Sequence, residues 1–381
     1  MMYQNENDFE RRLYQLAGKR NIPIRGGFEL SPVCNLNCKM CYVRKGKKQV
    51  EENGGLRSAD EWIALAEEAR EAGLLYLLLT GGEPFLYPDF RYLYTRLAQM
   101  GFRISINTNG TLIDEQTVNW LERMPPLQMN VTLYGGSEST YEALCGDGDA
   151  FTRTIGALER LKAAGIRVRV NATLTPYNLQ DLELIKGIGE NYGLPVKEST
   201  YLYPPVRKDR AMTGENDRFP PEEAGRIRAR AAKLLWETDS FQKERERACT
   251  CIRQETLGEG TEMPMACSAG AFAFWVTWEG RMTPCAMMTE PSIPVFEEGF
   301  WRSWEYIKDE AAKIRRNQKC STCAKKEMCF ACAAAAVAET GSYQGLPSYI
   351  CSMMDAYLEE DKLFVRPEYV KAMAGLDCSE Y

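Results

Sequence analysis

Short apolar runs, rich in β-branched and aromatic residues, alternate with longer amphipathic stretches from residue 27 to residue 204. This alternation is typical of βα units that surround a parallel sheet. Because six units are too few to close an eight-stranded barrel, the pattern predicts an α/β fold with an open, partial (β/α)6 TIM-like barrel. Its active site is expected at the carboxyl ends of the strands. The six predicted strands cover 28–33, 74–82, 102–110, 128–136, 166–175 and 196–204.

The segments between these strands place apolar residues at helical spacing. Two examples cover 58–72 and 151–164, and each is followed by a glycine, Gly73 or Gly165. Glycine is the residue that most often ends a helix, because it adopts the left-handed conformation without strain. Both segments are therefore predicted to be crossover helices.

The pattern divides the chain into four parts. After residue 204 the density of charged residues rises around one helical pattern at 221–237, and beyond residue 250 most of the fourteen cysteines occur among Gly and Pro clusters. This composition predicts a small C-terminal domain that is held together by bound metal rather than by a large core. The parts are an N-terminal segment 1–26, a barrel 27–204, a linker with a helix 205–250 and a cysteine-rich domain 251–381.

The bulk composition limits the partners and the location. Hydrophobic residues make up 45% and charged residues 26% of the 381-residue chain, and no apolar run reaches the length of a membrane span. The N-terminus has no apolar stretch of the kind that forms a secretory signal or an anchor. A net charge of −6 disfavours binding to a nucleic-acid backbone. We therefore expect a cytoplasmic protein with neither a membrane nor a nucleic acid as its partner.

The cysteine and histidine counts direct the chemistry. Fourteen cysteines in a cytoplasmic chain are better explained by metal or redox chemistry than by disulfides, because the cytosol keeps thiols reduced. The chain has no histidine, which removes the commonest acid–base residue and every Ser-His or Cys-His nucleophile. Chemistry must come from thiolates, carboxylates, Lys, Tyr or a cofactor.

Three cysteines follow the first predicted strand with C-x3-C-x2-C spacing. Three thiolates on one loop can hold three corners of a [4Fe–4S] cubane and leave the fourth iron open to a ligand. A zinc site is the alternative, but zinc loops more often use paired C-x2-C spacings, and a structural zinc needs a fourth ligand. The three residues are Cys34, Cys38 and Cys41.

A Gly-Gly-Glu-Pro turn follows the second predicted strand, 40 residues after Cys41. Together with the cysteine spacing, this turn resembles the radical S-adenosylmethionine (SAM) superfamily. The resemblance implies that the backbone and the glutamate of the turn contact the methionine amino group of SAM. The residues of the turn are Gly81, Gly82, Glu83 and Pro84. Before the third cysteine, where the superfamily usually has an aromatic residue, this chain has Met40, whose thioether can still pack against adenine.

Polar residues near the ends of the next three strands are further candidates for SAM contacts. Members of the superfamily often place polar side chains there, near the ribose and carboxylate of SAM. An ordinary strand-end cap or turn is the alternative for each. The candidates are Asn107, Asn109, Thr132 and Asn171.

The C-terminal cysteines follow a longer pattern. Cys267 and Cys285 bracket a predicted hairpin with C-x12-G-x4-C spacing through Gly280, and a C-x2-C-x5-C-x2-C run and one last cysteine follow. The array resembles the SPASM extension of radical SAM enzymes that modify peptides and proteins, which implies two auxiliary [4Fe–4S] clusters. The last interval of the run is usually three residues in the family and is two here. A zinc ribbon is the alternative for the run of four cysteines.

The resemblance implies two sets of ligands. Cys267, Cys285 and Cys332 are expected to hold the auxiliary cluster nearer the active site, and the outer cluster is expected on Cys320, Cys323, Cys329 and Cys351. The fourth ligand of the nearer cluster is Cys251 or Cys249, or its iron is open. Cys145 and Cys378 fall outside both patterns and are expected to be an ordinary buried thiol and a tail thiol.

The resemblance implies cleavage of bound SAM to a radical that abstracts a hydrogen atom from the substrate. Auxiliary clusters are plausible electron acceptors, which favours a net oxidation such as thioether or C–C crosslinking. The leading hypothesis is therefore oxidative maturation of a ribosomally made precursor peptide, with a flavodoxin or ferredoxin-type reductant. Only 33 residues precede Cys34, so leader recognition would use the linker, the SPASM domain or a separate leader-binding protein.

Two other hypotheses remain open. One is a radical SAM/SPASM enzyme that acts on a small molecule such as a tetrapyrrole side chain, and the other is a non-catalytic Fe–S electron carrier, which would need no Gly-Gly-Glu-Pro turn. Sulfatase maturation is disfavoured because Ala286 stands where such enzymes have an aspartate base. Tyr201, Tyr203 and Glu198 end the sixth strand and are expected to pack in the core or lie on the surface rather than face substrate.

Overall fold

The computed structural model describes residues 8–204, 218–235, 263–265, 267–323, 325–326 and 328–362. The predicted roles of Cys249, Cys251 and Cys378 fall outside these residues.

Six parallel strands form the predicted partial barrel. They are neighbours in chain order, and helices connect them, so the α/β fold is confirmed. The strands are β1 Arg25–Glu29, β2 Tyr76–Thr80, β3 Arg103–Thr108, β4 Gln128–Thr132, β5 Val168–Thr173 and β6 Val196–Ser199.

The first strand was predicted wrongly at both ends. It begins three residues before the predicted position and ends at Glu29, so residues 30–33 are not strand. Propensity disfavours Gly26 and Gly27 in a strand. Here they are required, because an added Cβ would lie 2.4 Å from the ring of Phe274 or 2.3 Å from the ring of Trp275 on the neighbouring strand.

Helices cover the outer face of the sheet. The two predicted crossover helices are confirmed as α3 and α7, and Gly73 and Gly165 follow them with positive φ of 107° and 67°. The helices before residue 204 are α1 Asp8–Arg20, α2 Lys47–Glu52, α3 Ala59–Glu71, α4 Phe90–Gln99, α5 Glu115–Arg123, α6 Glu138–Cys145, α7 Ala150–Ala163 and α8 Leu182–Tyr192.

The two faces of the sheet differ in polarity. Along β3, β4 and β5, one set of alternate residues is apolar and buried beneath the helices, and includes Ile106, Val131 and Val170. The opposite set faces the inside of the barrel and is polar, with Asn130 Nδ2 donating to Asn107 Oδ1 at 2.9 Å. A polar interior is suited to a polar ligand rather than to a packed core.

The C-terminal part joins the same sheet. Strands β8 Ala273–Val276 and β9 Arg281–Thr283 form the predicted hairpin, and Gly280 turns it with φ 82°. Strand β8 pairs in parallel with β1, and β10 Ile293–Pro294 pairs with β9, which gives a nine-stranded sheet. Strands β7 Met263–Pro264 and β11 Arg315–Arg316 form a separate pair. The strand that leads to Cys34 and the hairpin that leads to Cys285 are therefore neighbours.

The remaining helices pack around the C-terminal cysteines. They are α9 Pro221–Leu235, α10 Val295–Glu298, α11 Phe300–Lys313, α12 Ala333–Thr340 and α13 Ser348–Lys362. Helix α9, predicted in the linker, packs closely on α13, because a Cβ added to Gly225 would lie 2.1 Å from the Met353 carbonyl oxygen. In the described part of the chain, no helix is long and apolar enough to cross a membrane.

Candidate active site

The loop with the first three cysteines is fixed against the end of α6. Asn37 N donates to the carbonyl oxygen of Cys145 at 2.8 Å, and Lys39 N donates to that of Leu144 at 3.0 Å. Inside the loop, Cys41 N donates to Cys38 O at 3.0 Å. These backbone bonds hold the three cysteines in one compact turn above the carboxyl end of β1.

The thiols of this loop are partly buried and lie close to one another. Burial, together with negative charge on Glu83, Cys38 and Cys41, raises the pKa of Cys34 to about 12. Three thiolates in such a place repel one another unless a cation neutralises them. The donor set therefore fits a bound metal group.

The arrangement of donors also bears on the kind of group. Within the described ranges, no three Cys, Asp or Glu side chains converge on one position as they would around a single ion. A cubane instead attaches its thiolates to different irons.

The Gly-Gly-Glu-Pro turn packs directly against the cysteine loop. Gly82 N donates to Ser31 O at 2.6 Å, and Glu83 N donates to Val33 O at 2.9 Å. A Cβ on Gly81 would lie 2.3 Å from Ser31 O, and one on Gly82 would lie 2.3 Å from Val33 O. The two glycines are thus required for the close approach of two backbone segments at the strand ends.

The carboxylate of Glu83 is completely buried and fully hydrogen-bonded. Thr108 Oγ1 donates to its two oxygens at 2.8 and 3.0 Å, Asn109 N donates at 2.8 Å and Phe85 N at 3.1 Å. Burial raises its pKa to about 7, although these donors oppose the rise. Glu83 therefore ties the end of β2 to the end of β3. Pro84 begins the following short 3-10 turn, Pro84–Leu86.

Asn109 links this carboxylate to the cysteine loop. Its side-chain Nδ2 lies 3.6 Å from Cys34 Sγ and 3.0 Å from Asn35 Oδ1, while its Oδ1 accepts from Thr111. With its backbone amide on Glu83, one buried residue contacts both motifs that the sequence singled out.

The other predicted SAM contacts lie on the same edge or interior of the barrel. Thr132 and Asn171 are directly opposite each other on β4 and β5. Asn107 accepts the hydrogen bond from Asn130, and Met40 packs partly buried against the main core. The fold therefore brings these predicted residues to one region.

Two neighbours of Cys38 were not predicted. The Cys145 thiol forms a hydrogen bond that lowers the pKa of Cys38, and the Tyr134 hydroxyl does the same more weakly. Cys145 is fully buried, as expected, but its place beside the loop has no signal in cysteine spacing. Tyr134 had a weak signal, because it follows β4 where polar residues were expected.

The C-terminal cysteines fall into two groups. Burial, together with thiolate charge on Cys332 and Cys267, raises the pKa of Cys285 to about 11, so these three thiols interact. Burial likewise raises the pKa of Cys329 and that of Cys351, and each is raised further by the other thiols of its group. That second group is Cys320, Cys323, Cys329 and Cys351.

The residues that end the sixth strand pack rather than face an open site. Tyr201 OH donates to Glu339 Oε1 at 2.8 Å, and Tyr203 OH lies 3.5 Å from Cys332 Sγ. Glu198 pairs in register with Ala172 of β5. Both tyrosines pack against other residues, as expected.

Comparison with known proteins shows what the chain is similar to. Residues 28–186 match the Radical SAM superfamily. The AdoMet-dependent heme synthase of Methanosarcina barkeri is 28% identical over 346 residues, which cover 85% of this chain and 95% of that protein. The sporulation killing factor maturation protein SkfB of Bacillus subtilis is 23% identical over 279 residues, which cover 73% and 63%. The crystal structure of Streptococcus suis SuiB bound to precursor peptide SuiA is similar with a TM-score of 0.65 and 18% identity, over 92% and 82% of the chains.

The chain is therefore a radical SAM enzyme, with its radical SAM domain at residues 28–186. Membership of the superfamily implies SAM and a [4Fe–4S] cluster as cofactors. The likeness to SuiB shows the shared fold. These findings set aside the hypothesis of a non-catalytic electron carrier.

Proposed function

We propose that Cys34, Cys38 and Cys41 hold the SAM-cleaving [4Fe–4S] cluster and that SAM binds beside it at the carboxyl edge of the barrel. The observation that carries this proposal is the contact of Asn109 with both Cys34 and Glu83. A ligand that bridges the open iron and the Gly-Gly-Glu-Pro turn would lie across this junction.

The residues around SAM take different roles in this proposal. The carboxylate of Glu83 is occupied by protein donors, so we assign the contact with the SAM amino group to the backbone of Gly81 and Gly82, and positioning to Glu83. Met40 packs against adenine. The ribose and carboxylate are assigned to Asn107, Asn109, Thr132 and Asn171.

When bound, SAM and the reduced cluster supply methionine and a 5′-deoxyadenosyl radical, which removes a hydrogen atom from the substrate. The chain contributes position and exclusion of water. The buried junction of the cysteine loop, the turn and Asn109 fixes the geometry before substrate arrives, so little reorganisation is needed during reaction.

Oxidation of the substrate radical requires an acceptor for one electron. The two groups of C-terminal cysteines are suited to hold auxiliary [4Fe–4S] clusters, with Cys267, Cys285 and Cys332 at the nearer one. The hairpin that precedes Cys285 continues the barrel sheet, because β8 pairs in parallel with β1 and β9 pairs with β8. Cys251 remains the proposed fourth ligand, with Cys249 or an open iron as alternatives.

For the substrate, a tetrapyrrole side chain is supported by the similarity to the heme synthase, which extends over 95% of that relative. Arg169 on β5 pairs in register with Asn130, and Lys197 on β6 pairs with Asn171. Both cations therefore belong to the set of residues that faces the inside of the barrel. Two cations on the inner side of the barrel suit a substrate that carries carboxylates.

A precursor peptide is the second candidate substrate. The similarity to SkfB and the shared fold with SuiB in its complex with SuiA support it. Thioether or C–C crosslinking of such a peptide stays a prediction. A flavodoxin or ferredoxin-type protein is proposed as the electron donor in both cases.

The test is to incubate reconstituted enzyme, SAM and reduced flavodoxin with an iron tetrapyrrole that carries carboxylate side chains, or with a cysteine-containing peptide. The proposal expects 5′-deoxyadenosine to rise at least tenfold above the substrate-free level with one of them, together with a product of lower mass. The same enzyme with an Arg169→Met substitution should lose the response to the tetrapyrrole and keep its substrate-free SAM cleavage. No rise with either probe would contradict both substrate classes.

A further inference from the structure

Two tyrosines contact the two ends of helix α12. Tyr201 and Tyr203 follow β6 directly, and their rings are in edge contact, with centroids 4.9 Å apart. The Tyr201 hydroxyl donates to Glu339 near the last turn of α12, and the Tyr203 hydroxyl contacts Cys332, the residue that caps its first turn. The barrel therefore contacts both ends of the helix that begins at one of the C-terminal cysteines.

The sulfur of Cys332 has two polar neighbours. Ala335 N of the first helical turn donates to Cys332 Sγ at 3.4 Å, and Tyr203 OH lies 3.5 Å from the same atom. A thiolate bound to iron has no proton, whereas a phenol is protonated at neutral pH. In the loaded protein the hydroxyl must therefore be the donor of this bond.

The surroundings of Tyr203 hold its ring in place. The ring packs in two small apolar clusters at once, one with Phe330 and Tyr349 and the other with Cys285 and Met265. Arg218 forms a two-pronged ion pair with Glu339 and lies over the Tyr349 ring at 4.0 Å, which fixes the far end of α12. This packing holds the hydroxyl oxygen of Tyr203 beside Cys332 Sγ, 3.5 Å away.

We propose that Tyr203 donates a hydrogen bond to the Cys332 thiolate of the nearer auxiliary cluster and thereby raises the reduction potential of that cluster. Hydrogen bonds to cluster sulfurs withdraw negative charge and so stabilise the reduced state. A more positive potential favours transfer of one electron from a substrate radical. Tyr203 thus acts through Cys332, as a positioning residue for the cluster that accepts the electron. This inference rests on the proposed assignment of Cys332 to an auxiliary cluster.

The test is a redox titration followed by electron paramagnetic resonance. It uses the full chain with Cys34, Cys38 and Cys41 changed to Ala, so that only the two auxiliary clusters contribute signals. In this background, Tyr203→Phe should shift one of the two reduction steps to more negative potential. The expected shift lowers the ratio of reduced to oxidised cluster about tenfold at fixed potential, or about 59 mV for one electron. The other step should not move.

The matched control is Tyr201→Phe, which removes a hydroxyl from the same segment but from a bond to Glu339. It should leave both reduction steps in place. Unshifted steps in an iron-loaded Tyr203→Phe protein, or equal shifts in the two variants, would overturn the inference and leave the proposed function intact. If the background protein instead binds far fewer than about eight irons, the auxiliary-cluster assignment itself is wrong.

A second measurement keeps the inference testable if Tyr203→Phe fails to load iron. Reduced-minus-oxidised infrared difference spectra of the same background, with tyrosine carrying ¹³C in its ring, should contain a tyrosine C–O band that the label moves. A spectrum without any tyrosine band would mean that no tyrosine hydroxyl senses an auxiliary cluster, which overturns the inference.

Discussion

The side-chain amide of Asn109 lies 3.6 Å from the Sγ of Cys34. Because the same residue also donates its backbone amide to Glu83, the junction of the two motifs depends on one buried side chain. Removing its donor should therefore disturb metal binding more than an average buried substitution would.

Asn109→Asp tests this dependence with almost no change in shape. The new carboxylate would lie beside the Cys34 thiolate, and like charges there should weaken binding of the first cluster. We expect a loss of about 1–3 kcal/mol in the free energy of unfolding and iron content that falls toward that of a two-cluster protein. Asn107→Asp is the control, because its Oδ1 only accepts a bond, which a carboxylate also does. Full iron in Asn109→Asp would contradict the expectation.

Gly82→Ala should displace the cysteine loop. Its Cβ would lie 2.3 Å from the backbone oxygen of Val33, which no side-chain rotation can relieve. We expect SAM cleavage to fall at least a hundredfold, measured as 5′-deoxyadenosine released by reduced enzyme. Gly187→Ala in α8 has open space around its Cβ and should keep full activity while gaining up to about 1 kcal/mol of stability. Equal activity of the two variants would show that the close approach is unimportant.

Glu83 predicts a pH-dependent stability. Burial raises its pKa from 4.5 to about 7 in the folded protein, so the folded state holds a proton that the unfolded chain releases. Its contribution to the free energy of unfolding is fully present below about pH 4.5 and is lost as pH rises to about 7. Over this range the free energy of unfolding should fall by on the order of 3 kcal/mol. Above about pH 7 its contribution should be constant.

Urea unfolding measures this effect, in the background without Cys34, Cys38 and Cys41 so that no first cluster interferes. Glu83→Gln cannot ionise, and its stability should fall less across the same pH range. Parallel curves for the two proteins would mean that the carboxyl group titrates normally.

The ion pair of Arg218 and Glu339 should be important for stability. Glu339 has only 8% of its side chain exposed, so Arg218→Met would leave a buried carboxylate with only the Tyr201 hydroxyl among its present side-chain donors. We expect a loss of about 3 kcal/mol in the free energy of unfolding. Arg302→Met, whose pair with Glu298 is 75% exposed on the arginine side, should change stability by less than about 0.5 kcal/mol. A similarly small change in the free energy of unfolding of both variants would mean that the buried ion pair does not stabilise the fold.

The variant Cys145→Ala tests whether Cys145 is a ligand of the first cluster or only a neighbour of it. Its thiol bonds to Cys38, but three cysteines already account for the expected cluster. We expect unchanged iron content and a loss of about 1 kcal/mol from the removed buried contact. A loss of about four irons per chain would instead make Cys145 a ligand.

Periodicity along the chain predicted the six-stranded barrel, whereas the grouping of the C-terminal cysteines was expected from the resemblance to the SPASM extension. Strand periodicity identified β2 to β6, and close spacing identified Cys34, Cys38 and Cys41 as one loop. It failed at β1, where Gly26 and Gly27 look unlike a strand until the rings of Phe274 and Trp275 are seen to need the space.

Contacts between distant segments had no such signal. The place of Cys145 beside Cys38 and of Tyr203 beside Cys332 depends on tertiary packing between residues more than 100 positions apart. The pairing of β8 with β1 likewise joins residues that are 240 or more positions apart, and it depends on the size of the side chains that meet there. Local propensity and spacing do not report such contacts.

The central claim is that Cys34, Cys38 and Cys41 hold a cluster that cleaves SAM. The most direct measurement is iron and sulfide content with 5′-deoxyadenosine formation in anaerobically reconstituted, dithionite-reduced protein, comparing wild type with the Cys34, Cys38, Cys41→Ala variant. We predict about twelve irons in wild type, about eight in the variant, and SAM cleavage only in wild type. Equal iron in the two proteins, bound zinc in place of iron, or SAM left intact by fully loaded wild type would contradict the claim.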